Sequence, residues 1–227
     1  MPTKNCNDCN NEFDAEEIDL MGRKVVFQTL CDPCCEKRIQ ADAEEASRKR
    51  QDDRKSDFWS KVPPLYQNTE IERLKPILTQ SVLSWKYNPI GIGIRGESGS
   101  QKTRAAVCLL YKQRMLGHSV MFLKATDITR YAVEQFSSDK EIHSEALQAI
   151  RQAQNVHLLL IDDLGKGRLT PSAEELLYDI LDKRSERQLP VIWTANVTSS
   201  QLHSMMSEDR GDAIMRRLAE FTKVISV

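Results

Sequence analysis

The sequence lacks long apolar runs and any surplus of one charge, and both absences narrow its class. No segment is long enough to span a membrane, and the first residues lack the apolar core of a signal peptide. We therefore expect a cytoplasmic protein with no membrane partner, whose six cysteines stay reduced. A formal net charge of -1 neither supports nor excludes binding to nucleic acid. With 40% apolar and 29% charged residues, the 227-residue chain has room for one sizeable core and a small appendage.

Cysteine is nearly absent after the N-terminal segment, which holds five of the six. Two Cys-x-x-Cys pairs separated by 21 residues are formed by Cys6, Cys9, Cys31 and Cys34. This spacing is typical of a zinc ribbon, in which each pair forms a tight turn and the segment between them a hairpin. So short a segment cannot bury enough apolar surface to fold alone, which favours a metal site over a disordered tail. We predict a structural Zn²⁺ site on these four thiolates, with Cys35 open as a replacement for Cys34.

A charged segment follows the cysteines. Residues 36–57 contain seven acidic and seven basic side chains and almost no large apolar ones. Glu44 precedes Arg48 by four residues, an order that favours a solvated helix. Without an apolar stripe, such a helix acts as a spacer or as an arm that a partner orders. The predicted domains are a zinc-ribbon-like module in 1–35, a charged helical linker in 36–57 and an ATPase domain in 58–227.

Glycine is scarce, with nine residues in the chain, yet two of the nine lie in one short loop between an apolar strand and a helix. This arrangement predicts a P-loop, in which backbone N–H groups hold a polyphosphate, Lys102 adds a charge and Thr103 reaches Mg²⁺. Gln101 stands where the loop ordinarily has its last glycine. Its Cβ either narrows the approach of the phosphates or forces a backbone adjustment, which leaves the hydrolysis rate open. The predicted phosphate-binding residues are Gly96, Glu97, Ser98, Gly99, Ser100, Gln101, Lys102 and Thr103.

Downstream, helical segments alternate with short apolar ones, which predicts an α/β fold with a parallel sheet. A helix is expected over 70–85, interrupted at Pro76. One apolar run ends in Asp162 and Asp163, as expected for a strand that is buried on both faces. In a P-loop protein this is the Walker B strand: Asp162 would hold Mg²⁺ through water, and Asp163 would orient the attacking water. The next apolar strand ends in Asn196, which either contacts the γ-phosphate and its water or caps the following helix.

The order of these motifs resembles that of the AAA+ ATPases. More closely it resembles the DnaC/IstB-type group of bacterial and phage replicative-helicase loaders and transposition helpers. The carrying segments are residues 62–66, the P-loop, 159–165, 193–196 and 211–218, so that the resemblance covers 58–227. It implies ATP as the nucleotide, ATPase activity and a P-loop sheet of the AAA+ type. Because the sequence stops after its last strand, we predict no separate C-terminal lid domain.

The resemblance also implies that ATP-bound subunits associate head to tail. An arginine of one subunit would then complete the neighbour's site and stabilise charge on the transferred phosphoryl group. Arg216 and Arg217 match the family's position for this arginine, with Arg217 preferred, and Arg210 is a further candidate. A solvated helix face explains the same residues equally well.

Single-stranded DNA is a further partner that the resemblance implies. The basic residues near the loops that would face such a strand are Lys124, Arg130, Lys166 and Arg168. The implied function is an ATP-dependent loader that binds a replicative ring helicase and delivers it to single-stranded DNA. The alternatives are a transposition helper and a nucleotide-binding adaptor with little hydrolysis.

Overall fold

The chain divides into two units, and the boundary between them falls inside one long helix. The computed structural model describes residues 1–167 and 169–227. The first unit comprises Met1–Arg54 and the second Lys55–Val227. Helix α1, Asp32–Lys61, contains the boundary. In the described residues, no helix is both long and apolar enough to cross a membrane.

Two short antiparallel hairpins precede α1 in the first unit. Strands β1 and β2 pair with each other, as do β3 and β4. Their bounds are Thr3–Asn5, Glu12–Asp14, Ile18–Leu20 and Arg23–Val25. The second hairpin confirms the one predicted between the cysteine pairs. The charged segment 36–57 lies in α1 with almost all of its side chains exposed, so the predicted solvated helix is confirmed.

A five-stranded parallel sheet forms the centre of the second unit and confirms the predicted fold class. Its strand order is β6-β7-β8-β5-β9. The strands are β5 (Gly91–Arg95), β6 (Val120–Lys124), β7 (Leu158–Leu164), β8 (Val191–Ala195) and β9 (Thr222–Ser226). After β5 the chain crosses to the far edge, returns through β7 and β8, and then passes β5 to reach β9. Ligands of open α/β sheets bind outside the carboxyl ends of strands where the order reverses, which is here the end of β5.

Helices connect the strands of this sheet. They are α2 (Pro76–Ser84), α3 (Lys102–Met115), α4 (Ala125–Glu134), α5 (Lys140–Asn155), α6 (Pro171–Glu186), α7 (Ser199–Ser204) and α8 (Glu208–Phe221). The helix predicted over 70–85 is wrong in its first part, because Ile71–Arg73 forms a separate 3-10 turn. Pro76 begins α2 instead of interrupting a helix. Proline suits a first helical position, where its fixed φ fits and no N–H is needed.

The two faces of the sheet contact different apolar clusters. The side chains of β7 alternate between these two clusters. Leu158 and Leu160 pack with one cluster, which includes residues of α2 and α3. Leu159 and Ile161 pack with the other, which includes residues of α4 and α6. Side chains alternate along a strand, so a continuous apolar run serves both faces. The prediction that this strand is buried on both faces is confirmed.

Close packing inside the sheet requires glycine at position 93. A Cβ at Gly93 would lie 2.3 Å from the ring of Trp193 on the neighbouring strand. The Trp193 indole N–H donates to the Thr222 hydroxyl at 2.9 Å, which links β8 to the residue that begins β9. Glycine on β5 therefore leaves room for a ring that reaches across that strand.

The end of α1 belongs to the second unit and packs there through aromatic residues. Phe58 is 2% exposed, and the Trp59 ring stacks on the Tyr111 ring of α3 with centroids 5.2 Å apart. The Arg114 guanidinium donates to the Asp57 carboxylate at 2.9 Å. These contacts confirm that Phe58 and Trp59 dock the chain onto the domain that follows.

A fully buried arginine links α6 to the end of α5 and to the residue before β8. The Arg184 guanidinium donates to the carbonyls of Ala153 and Val156 at 2.7 and 2.9 Å, and to that of Pro190 at 2.7 Å. The first two carbonyls lie at the end of α5, where helical hydrogen bonds run out. Burial lowers the pKa of Arg184 to about 9. This side chain therefore supplies donors to the carbonyls of Ala153 and Val156, at the end of a helix where backbone donors run out.

Candidate nucleotide site and candidate metal centre

The P-loop lies at the carboxyl end of β5 and leads directly into α3. Gly99 has φ +80°, a left-handed conformation that glycine adopts without strain. Lys102 is 5% exposed, and its ammonium donates to the Glu97 carbonyl at 2.7 Å and the Ser100 hydroxyl at 3.2 Å. Burial lowers the pKa of Lys102. The loop therefore holds its own lysine where polyphosphate oxygens would replace these acceptors.

Thr103 and Asp162, the two predicted Mg²⁺ ligands, are brought together although 59 residues separate them. The Thr103 hydroxyl donates to Asp162 Oδ1 at 2.7 Å. Asp162 is 1% exposed, and its pKa is raised by burial, against the effect of hydroxyl groups that donate to it. Oxygen ligands of this kind suit Mg²⁺, which is held by a few protein groups and the phosphates of a nucleotide. The residues thus fit the ion that the P-loop implies.

Thr194 is a site residue that the sequence did not reveal. Its hydroxyl donates to Asp162 Oδ1 at 2.6 Å and accepts the backbone N–H of Asp163 at 2.9 Å. It is fully buried on β8, beside the tip of β7. One hydroxyl therefore orients both acidic residues. The available signal was a polar residue inside an apolar strand, two positions before Asn196.

Asp163 has an unusual backbone and a defined partner. Its φ is +60°, and the register between β7 and β8 shifts between Ile161 and Leu164. The Asn196 amide donates to Asp163 Oδ1 at 3.3 Å, and the Lys166 ammonium lies 3.5 Å from Oδ2. The bulge turns the second carboxylate towards the tip of β8, whereas the first faces α3.

The sequence left two roles open for Asn196, a contact with the γ-phosphate or a cap of the following helix. The N-cap of α7 is Thr198, whose hydroxyl accepts the backbone N–H of Gln201. Asn196 is therefore not the cap of this helix. A cavity of about 650 Å³ beside the P-loop is lined by Gly96, Glu97, Asn196 and hydroxyl-bearing residues of the β8–α7 connection.

Gln101 adopts the backbone adjustment that its position requires. Its φ and ψ are 67° and 14°, in the left-handed region that glycine would enter freely. Its side-chain oxygen accepts the backbone N–H of Lys75 at 2.9 Å, and its side-chain nitrogen donates to the Arg73 carbonyl at 3.0 Å. The side chain is thus bound to the segment before α2.

Tyr66 is a second residue near the site that the sequence did not assign there. It ends a 3-10 turn, and the Arg104 guanidinium lies 6.0 Å from its ring centroid. Burial, and then the charge of Asp162, raise the pKa of the Tyr66 phenol. The phenol therefore borders the predicted metal ligands.

The candidate arginines lie on α8, and the contacts of two of them run to α6. Arg217 donates to Asp182 at 2.6 Å, an ion pair that raises the pKa of Arg217. The Arg210 guanidinium lies 3.6 Å from Glu175. Arg216 is exposed. Within one subunit, the structure brings neither Arg217 nor Arg210 to the P-loop.

The basic residues expected near DNA have varied surroundings. The Arg130 guanidinium lies 3.6 Å from Asp127 and 3.8 Å from Glu134. Lys166 pairs with Asp163, as described above, and Lys124 ends β6 and is the N-cap of α4. Arg168 lies outside the described residues. DNA contact by these residues stays a prediction.

The four predicted zinc ligands lie together in the first unit. The sulfurs of Cys6, Cys9, Cys31 and Cys34 are all within 4.8 Å of one another. Cys35 is exposed and is not a member of this cluster, which favours Cys34 as the fourth predicted ligand. Side-chain hydrogen bonds with Cys31 and Cys9 raise the pKa of the Cys34 thiol to about 12. Four sulfurs this close together fit a tetrahedral Zn²⁺ site without an open position.

The second cysteine pair differs from the expected ribbon turn. Cys31 directly precedes α1, and Cys34 lies in its first turn, where its N–H donates to the Cys31 carbonyl at 3.0 Å. Asp32 and Pro33 begin this helix, since an acidic residue and a proline both suit a first turn. Arg38 of α1 donates from Nε to the Asp8 carboxylate at 2.7 Å, which ties the helix to the first pair.

Comparison with solved structures gives the same fold for the second unit. The crystal structure of DnaI has a TM-score of 0.59 and 15% identity, over 73% of this chain and 91% of DnaI. The crystal structure of the DnaC helicase loader has a TM-score of 0.59 and 19% identity, over 73% of this chain and 99% of DnaC. AMPPCP-bound DnaA from Aquifex aeolicus has a TM-score of 0.57 and 17% identity, over 73% of this chain and 51% of DnaA. At such identities the likeness shows the fold alone.

Comparison at the level of sequence gives the family. No curated protein sequence matches the chain. The sequence model described as IstB-like ATP binding protein matches residues 66–227, which is more than half of the chain and contains the P-loop and both acidic residues of β7. The chain therefore belongs to the family of IstB-like ATP-binding proteins.

Proposed function

We propose that this protein is an ATP-dependent loader that binds a replicative ring helicase and delivers it to single-stranded DNA. The observation that carries the proposal is the contact between Thr103 and Asp162, which closes the P-loop onto the acidic tip of β7. It occurs in a fold similar to that of the DnaC helicase loader. ATP binding would assemble the subunits, and hydrolysis would release them.

Each residue of the site has a proposed task. Lys102 exchanges its loop acceptors for the phosphates, and Thr103 and Asp162 hold Mg²⁺, with Asp162 acting through water. When bound, the ion neutralises charge on the β- and γ-phosphates. Asp163 orients the attacking water, and Asn196, which contacts Asp163, stands beside the γ-phosphate. The phosphate cradle comprises residues 96–103.

An arginine from a neighbouring subunit completes the site in this proposal. Of the two adjacent candidates, Arg216 is favoured, because Arg217 is already held by Asp182 within its own subunit. An exposed guanidinium is free to reach a neighbour's γ-phosphate without breaking an ion pair. The assembly is therefore an ATP-dependent oligomer.

The first unit would contact the helicase or the DNA. We propose that Zn²⁺ on Cys6, Cys9, Cys31 and Cys34 holds it folded, with a purely structural task because no coordination position is open. The long charged helix that follows serves as a spacer or as an arm that the partner orders.

The test uses the purified replicative helicase from the same source and a circular single-stranded DNA. The wild-type chain should form a complex with the helicase that depends on ATP, and should increase the helicase bound per circle. Lys102→Ala should do neither, whereas Lys140→Ala, which changes an exposed lysine on α5, should act like the wild type. Absence of any helicase complex with wild-type protein that binds ATP would refute the loader function.

The family assignment favours a second candidate, a transposition helper that coats duplex DNA and recruits a transposase. Electron microscopy with ATP and duplex DNA separates the two. Stable filaments on duplex DNA, together with no helicase complex, would support the helper.

A third candidate is a nucleotide-binding adaptor with little hydrolysis, and Gln101 is the observation behind it. The strained backbone at this residue constrains the loop that must adapt during phosphoryl transfer. Phosphate release measured with helicase and single-stranded DNA present decides the matter. ATP binding without detectable turnover would favour the adaptor.

A further inference from the structure

The side chain of Gln101 joins the P-loop to the segment before α2. Both of its hydrogen bonds run to backbone groups, the N–H of Lys75 and the carbonyl of Arg73. They therefore fix the path of this segment, whatever side chains it carries. The bonds are made from a left-handed backbone that disfavours any residue with a Cβ.

Lys75 lies on the segment whose path Gln101 fixes. It is the N-cap of α2 and is exposed, and its backbone N–H is the one that the Gln101 side chain accepts. The nearby Arg73 is engaged differently, because its guanidinium lies 2.6 Å from the Glu70 carboxylate. The side chain of Lys75 therefore starts from a segment that the P-loop itself holds, and among the described residues it is not held in an ion pair of the kind that engages Arg73.

We propose that Lys75 is a second cation of the phosphate site and that Gln101 is the positioning residue that holds it there. Two ammonium groups repel each other when the cradle is empty, and a polyphosphate between them turns repulsion into two attractions. Glycine at position 101 would relax the backbone but would release Lys75. The inference rests on the proposed nucleotide site and is independent of the proposed helicase partner.

The test is a double-mutant cycle on ATP binding, measured by isothermal titration of Mg·ATP into the full-length protein. Gln101→Met keeps the length and the Cβ of the side chain but removes both hydrogen bonds. Lys75→Ala removes the charge. Each single variant should weaken ATP binding by about fivefold, as expected for one screened charge contact. The double variant should be no weaker than either single variant, because both remove the same contribution.

Two further measurements separate this role from a merely structural one. Lys75→Arg should keep the wild-type affinity within about twofold, since it keeps the charge. The difference between wild type and Lys75→Ala should shrink as salt is raised, because salt screens exposed charges. Gln101→Gly, which relieves the backbone strain, should still bind ATP more weakly than the wild type.

Several outcomes would overturn the proposal. They are wild-type affinity in Lys75→Ala, additive effects in the double variant, and Gln101→Gly binding ATP as tightly as the wild type or more tightly. If Gln101→Met does not fold, the salt dependence of Lys75→Ala still decides whether Lys75 is a phosphate cation. If the wild type binds no ATP, this inference and the nucleotide site fail together. If ATP binding and the cycle behave as expected but no helicase is bound, only the loader function fails.

Discussion

The two units of this chain obtain their folds from different physical sources. In the first 54 residues, all of which the structure describes, only Cys6 and Ala15 are buried apolar residues, and every strand is three residues long. Hairpins of this size are not stable alone in water. The second unit instead buries two apolar clusters against a five-stranded sheet. We therefore expect the first unit to need a metal in order to fold, and the second to fold without one.

The same contrast holds for the way each site is assembled. The metal ligands come in pairs three residues apart, so local turns create half of the site each time. The nucleotide site joins residues that are far apart in sequence, and its hydroxyl-to-carboxylate contacts form only when the sheet does. The predicted metal site can therefore be recognised from the spacing of its cysteines. The contacts of the nucleotide site depend on which strands and helices are neighbours.

Removing Zn²⁺ should have the largest effect and should affect one unit only. Metal binding contributes about 10 kcal/mol or more to the folding of small zinc modules. In amide hydrogen exchange on the full chain, a chelator should abolish protection in the first unit and leave β5–β9 protected. Cys34→Ser should reproduce this loss, and the adjacent Cys35→Ser should not. Protection of the first unit that survives in metal-free protein would contradict the comparison.

Arg184→Met should weaken the second unit only. It leaves several buried carbonyls without a donor, and we expect a loss of about 3 kcal/mol in the free energy of unfolding. Urea denaturation followed by tryptophan fluorescence measures this loss. Arg187→Met, which changes an exposed arginine nearby, should cost far less, and both variants should bind Zn²⁺ like the wild type. Equal stability of the two variants would show that the buried guanidinium is not a major support.

Thr194→Val should distinguish the effect of carboxylate orientation on hydrolysis from the effect of sheet packing. The loss of the hydroxyl frees Asp162 and the backbone of Asp163, so the hydrolysis rate should fall about 10-fold to 100-fold while ATP affinity changes little. Thr222→Val is the matched control, because its hydroxyl is also buried but contacts Trp193. Steady-state phosphate release compares the variants. A similar fall in both would mean that sheet packing, not carboxylate orientation, limits the rate.

Asp162→Asn should produce the smallest change in stability, in the stabilising direction. Burial raises the pKa of Asp162 above its usual 3.8, so folding disfavours its ionised form at neutral pH. The variant should therefore melt about 2 °C higher at pH 7 without nucleotide, although it loses Mg²⁺-dependent hydrolysis. Below pH 3.8 the carboxyl is protonated in both states and the difference should vanish. A lower melting temperature at pH 7 would reverse the sign of this argument.

Much of the architecture was accessible from the sequence because it depends on short-range patterns. The apolar run before Asp162 predicted a strand buried on both faces, and the glycine-bearing loop predicted its place at a strand end. The spacing of the cysteines predicted the metal cluster. In each case one local rule of geometry was enough.

The parts that were missed depend on three-dimensional contacts. Thr194 reads as an ordinary strand residue until the neighbouring strand places Asp162 beside it. The hydrogen bonds from Gln101 to the segment before α2 span more than 25 residues in sequence, and the sequence of the loop does not predict them. The ion pair between Arg217 and Asp182 likewise requires α6 and α8 to be adjacent.

The central claim is that residues 96–103 hold the phosphates of ATP despite the glutamine. Isothermal titration of Mg·ATP tests it most directly, with wild type, Lys102→Ala and the surface control Lys140→Ala. The account predicts saturable binding with one nucleotide per chain for wild type and control, and an affinity about 100-fold weaker for Lys102→Ala. Equal affinity in all three proteins, or no binding by the wild type, would contradict it.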